Sequence, residues 1–67
     1  MSEMCEWKQQ LVAELADLNR RRGEIAEFIY YNKDFDDLPE GAQGRLRKQL
    51  KAMNEYASIL VERVRND

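Results

Sequence analysis

The sequence predicts an all-α fold: an antiparallel two-helix hairpin that dimerises into a four-helix bundle. Three observations carry this. First, Leu11, Leu15, Leu18, Ile25 and Ile29 recur at gaps of four and three residues, with Arg22 filling one gap. The same rhythm returns in Leu46, Leu50, Met53, Ala57, Leu60 and Val64, and a 3.5-residue period is that of helices packed lengthwise. Second, a short acidic segment around Asp34, Asp36 and Asp37 separates the two stripes. Third, Ile25 with Leu46, Leu18 with Met53, Leu11 with Leu60 and Trp7 with Val64 all share one sum of residue numbers. Facing positions of an antiparallel hairpin obey that rule.

The first helix is expected over about residues 3–31. Ser2 is a plausible N-cap, and Glu3 and Glu6 fall where the helix dipole favours negative charge. Gly23 interrupts the helix and costs on the order of 1 kcal/mol relative to alanine. It marks either a close helix approach or a tolerated surface glycine. The connection is expected over about residues 32–38. Asn32 can end a helix in the left-handed conformation, and the aspartates favour turns and caps. Phe35 and Leu38 are its apolar members and are expected to fold back as a plug over the hairpin end. The second helix is expected over about residues 39–65. Pro39 suits a first turn because its missing N–H is not needed there. Asp37 and Glu40 have capping-box spacing, and Arg63 and Arg65 suit the negative C-terminal end.

Composition narrows the function classes. The chain has 67 residues, one domain's worth, and a single cysteine, Cys5, so no disulfide can form within it. There is no histidine, which leaves a cysteine nucleophile without its usual base and gives no sign of a metal cage. No catalytic residue, metal or cofactor is therefore expected. Charged residues make up 36% of the chain but nearly cancel, leaving a net charge of -2. A general nucleic-acid coat would be strongly basic, so nucleic acid is not the expected partner. No apolar run is long enough to span a membrane, and the start lacks a signal-peptide pattern. A cytoplasmic location is expected, and a lone reduced cysteine suits it.

A core this small supplies roughly 3–5 kcal/mol of net stability, so oligomerisation is the expected staple. The apolar surface is also wider than one seam. Val12, Ala26 and Phe28 flank the first stripe; Ala42, Tyr56, Ile59 and Val61 flank the second. The expected core and dimer residues are Trp7, Leu11, Leu15, Leu18, Ile25, Phe28, Leu46, Leu50, Met53, Tyr56, Leu60 and Val64. The candidate partner-binding residues are Tyr30, Tyr31 and Phe35 at the turn end, with Arg21, Lys48 and Lys51 in a basic group mid-hairpin. That group also holds Arg20, Arg22, Arg45 and Arg47, and could form a ridge meeting phosphates or an acidic protein patch. Its alternative is a solvated face balanced by Glu14, Asp17, Glu24 and Glu27 at helical spacing. Arg22 interrupts the seam and either pairs across the hairpin, for instance with Gln49, or snorkels outward.

The second half carries a further pattern. Phe28-Ile29, then Phe35 and Leu38, then Gln49-Leu50-x-Ala52-Met53-x-x-Tyr56-x-x-Ile59-Leu60-x-x-Arg63-Val64 resembles small bacteriophage-encoded helical-hairpin accessory proteins. These include a crAss-phage-related group, and the layout is similar to that of phage quorum-sensing anti-activator proteins. The resemblance covers roughly residues 10–65. It implies a small dimeric protein that binds a bacterial host protein, such as a transcription regulator, and masks it. Gly41-Ala42-Gln43-Gly44 departs from the acidic residue such proteins often carry early in the second helix.

Overall fold

The computed structural model describes residues 6–66. The expected Ser2 cap, the acidic Glu3 and Cys5 lie outside the described residues. Helix α1 spans Glu6–Tyr31, a single 3-10 turn spans Lys33–Phe35, and helix α2 spans Glu40–Asn66. The two helices pack against each other as an elongated hairpin with extents of 51 × 16 × 13 Å.

The inner seam follows the stripes. Leu11 and Leu18 from α1 form one buried cluster with Ala57 and Leu60 from α2, and Leu15, Met53 and Val64 pack onto it. Each buried leucine of this kind contributes about 1.5–3 kcal/mol relative to an exposed one. Leu50 is buried too, and Ile25, Phe28, Ile29 and Leu46 are half-buried. Two of the expected core or dimer residues lie outside this seam. Trp7 and Tyr56 are both more than 40% exposed. Tyr56 precedes the buried Ala57, so a 100° rotation carries it off the seam. Trp7 stands on the first described turn, where one partner helix cannot enclose an indole; Lys8 Nζ lies 5.8 Å from its ring centre instead.

The turn is built by short-range bonds. The Asn32 N–H donates to the Phe28 carbonyl at 3.3 Å, giving α1 its last helical bond. Asn32 then leaves the helix in an extended conformation, with φ −101° and ψ 125°, not the expected left-handed one. Its side-chain oxygen accepts from the Asp34 N–H at 2.8 Å and so starts the 3-10 turn. Four successive i to i+3 bonds, from Phe35, Asp36, Asp37 and Leu38 N–H groups, wind the chain onward. The Gln43 side-chain amide reaches back and donates to the carbonyls of Phe35 at 3.0 Å and Leu38 at 2.9 Å. The Phe35 carbonyl also accepts from the Leu38 N–H, so Gln43 ties the end of the 3-10 turn to the start of α2. The first α2 bond runs from the Gln43 N–H to the Pro39 carbonyl, so Pro39 stands just ahead of the helix.

Phe35 is the centre of this end. It is 2% exposed, meets Phe28 edge-on with ring centres 6.1 Å apart, and has the Arg47 guanidinium 5.0 Å from its ring centre. It plugs the hairpin. Gly23 takes no part in a close helix approach, because a Cβ there would meet nothing within 4 Å.

Candidate partner-binding surface

Two of the basic residues are held by carboxylates of their own helix. Arg20 binds two carboxylates of its own helix, Asp17 at 2.6 Å and Glu24 at 3.1 Å. Arg21 Nε reaches the other Asp17 oxygen at 3.1 Å. These are neighbours at i, i+3 and i, i+4, where helical side chains meet. The hydrogen bond from Arg20 holds the Asp17 carboxyl below the usual carboxylate range; desolvation opposes it, and the charges of Arg21 and Arg20 add to it. The same contact raises Arg20 above its ordinary value. Arg20 and Arg21 are therefore engaged along α1, while Lys48 and Lys51 stand exposed on α2.

The aromatic residues at the turn end divide. Tyr30 is 71% exposed and Tyr31 85% exposed. Phe35, expected beside them as an anchor, is buried as the plug and presents no ring to a partner. Its side chain is spent on Phe28 and Arg47. Tyr31 shares a shallow dent of about 560 Å³ with Glu24, Glu27, Phe28, Asn32 and Lys33. With carboxylates on its wall, the dent suits a basic or amide group more than a phosphate.

A second depression was not legible as a site in the sequence. Asn19, Arg22, Gly23, Ala26 and Tyr30 of α1 face Leu50 and Asn54 of α2 around an open groove of about 310 Å³. Arg22 is half-buried here, and its Nε is buried without a hydrogen-bond partner. Gln49, the candidate partner, is exposed and does not satisfy it. A buried donor left unpaired costs about 1–3 kcal/mol. The gap that Arg22 leaves in the leucine stripe was the sequence signal; the groove beside it needed the small side chains of Gly23 and Ala26 to open.

Among the described residues no group of acidic or cysteine side chains could hold a metal ion. No helix among the described residues is long and apolar enough to cross a membrane. The surface thus offers an aromatic end, a guanidinium-walled groove and apolar flanks.

A family model described as Sequestin matches residues 6–66, which take in both helices and the turn. The chain belongs to the Sequestin family. The matched span is the whole described hairpin, so the family's common feature in this chain is the two-helix unit with its turn. No curated protein and no solved structure matches the chain.

Proposed function

We propose that this Sequestin-family chain is a non-enzymatic binding protein that acts by holding a partner stoichiometrically. The family's name is in keeping with a sequestering role. The leading reading is a cytoplasmic phage accessory protein that masks a bacterial host protein, possible targets including a transcription regulator; it rests on the resemblance of the α2 pattern to phage hairpin proteins. The observation that supports it best is the exposed pair Tyr30 and Tyr31 beside a buried plug. Rigidly mounted aromatics are typical anchors of protein interfaces, and the 3-10 turn and Gln43 hold this end in shape. Arg21, Lys48 and Lys51 would give the rim of such a contact charge. The test is capture of partners from bacterial lysate with and without nuclease. One host protein recovered in stoichiometric amount after nuclease supports the reading. Recovery that vanishes with nuclease removes it.

A second reading has its own supporting observation. The unpaired Arg22 Nε lines a groove with Asn19, Asn54 and the Tyr30 ring. A guanidinium supplies charge-assisted hydrogen bonds to a phosphate, amides can read a base edge, and an aromatic ring gives a stacking face. A nucleotide is the ligand class this combination would take. Titration calorimetry with mono-, di- and cyclic nucleotides tests it. Saturable binding that weakens with salt and is lost in Arg22→Met supports the groove. Heat signals identical in the variant remove it.

A further inference from the structure

α2 carries a second stripe that the hairpin leaves uncovered. Ala42, Arg45, Gln49, Ala52, Tyr56 and Ile59 follow each other at gaps of three and four. All but Ala42 are exposed, Ile59 by 53%. This is the same 3.5-residue rhythm as the inner seam, displaced around the helix. We infer that this stripe is the surface on which a second copy of the chain docks, with the two α2 helices antiparallel. The inference rests on the expectation of a dimer and names its interface.

Three observations support that occupant and orientation. The gaps of the stripe read the same in both directions. An antiparallel pair is therefore in register along its length: Ile59 of one copy over Ala42 of the other, Tyr56 over Arg45, Gln49 over Ala52. Each contact then sets a large side chain against a small one or a ring against a guanidinium, and symmetry makes each contact twice. Charge also complements. Lys48 and Glu55 lie two turns apart along one edge of the stripe, and neither is ion-paired within the hairpin among the described residues. Antiparallel docking brings Lys48 of each copy to Glu55 of the other, whereas parallel docking would set this edge against the opposite one, near Met53 and Leu60, and leave both charges without a partner. Area agrees as well. A folded monomer of 8.0 kDa exposes about 4,500 Å² by size scaling. This chain exposes 5464 Å², an excess of about 1,000 Å², against the roughly 800 Å² per partner of a stable interface. The Arg22 groove opens on the other side of the inner seam, with Asn54 in its wall and Tyr56 not. Such a dimer would present that groove twice, unobstructed.

The experiment is light scattering with gel filtration on four chains: the parent, Ile59→Arg, Lys48→Glu, and the swap Lys48→Glu with Glu55→Lys. Circular dichroism checks that each stays helical; all the altered positions are exposed, so the monomer fold does not need them. The expected result is twice the 8.0 kDa chain mass for the parent and for the swap. Ile59→Arg and Lys48→Glu should each weaken dimerisation by at least about tenfold. A parent that is monomeric at concentrations near 100 times a micromolar dissociation constant overturns the dimer and this interface together. A parent dimer that survives Ile59→Arg and Lys48→Glu overturns the α2 interface alone. A swap no better than Lys48→Glu overturns the antiparallel orientation.

Discussion

Helix α2 has an inner face and an outer face with the same 3.5-residue rhythm, and only the inner one is covered. Leu60 on the inner face of α2 is 0% exposed; Ile59, the residue before it, is 53% exposed. The turn end repeats the contrast. Phe35 is buried and Tyr31, four residues earlier, stands in solvent. The lesson is that periodicity marks a surface able to pack but does not say what packs on it. Inner stripes fold the chain, and outer stripes and exposed rings are left for other molecules.

Substitutions can break this division, beginning with the largest effects. Phe35→Ala removes the plug with its contacts to Phe28 and Arg47, and should cost about 3–5 kcal/mol. Denaturant unfolding of so small a domain would then show little or no folded baseline. Tyr31→Ala, by contrast, should stay within about 0.5 kcal/mol of the parent. Equal losses for the two would erase the contrast at the turn end. Leu60→Ala should cost about 2–5 kcal/mol, because it opens a cavity in the inner cluster, measured by the same unfolding curve.

Gly23→Ala sharpens the comparison from the other side. A Cβ there meets open space, so helix propensity alone should raise stability by about 0.5–1 kcal/mol. A fall in the thermal midpoint would mean that another molecule approaches this face closely. The smallest effect is electrostatic. Asp17 has its folded pKa lowered by Arg20. A depressed carboxyl contributes stability that is present above the unfolded value, near 3.9, and lost as pH falls through the folded value. The Asp17 carboxyl resonance should therefore titrate below that value by NMR, and stability should decline slightly over that acid window. Asp17→Asn should remove this part of the pH dependence. Because the pair is exposed, the change should be small.

The inner fold was largely legible in the chain. The leucine spacing, the constant sum across the hairpin and the acidic turn anticipate two helices packed against each other across a short connection. The turn's internal wiring was not. Asn32 works through its side chain in an extended conformation, because a 3-10 turn needs a cap and not a left-handed residue. Gln43 reaches back eight residues to the Phe35 carbonyl, a contact that no local pattern announces. Phe35 suited both a plug and an anchor by composition, and only the three-dimensional path of the turn decides for the plug. The pairing of Arg20 with Asp17 and Glu24 follows from their spacing along one helix, which the sequence already offered as a balanced, solvated face. Arg22 stood out as a break in the stripe, but the groove beside it depends on how far apart the helices stand.

The most direct test of this division pairs stability with binding in Tyr30→Ser/Tyr31→Ser. Thermal unfolding and capture from nuclease-treated bacterial lysate would be measured beside the parent chain. The account predicts an unchanged melting midpoint and the loss of a protein that the parent captures in stoichiometric amount. A variant that captures the same protein as well as the parent, or that loses its helices, would contradict the claim that the outer aromatics bind and the inner seam folds.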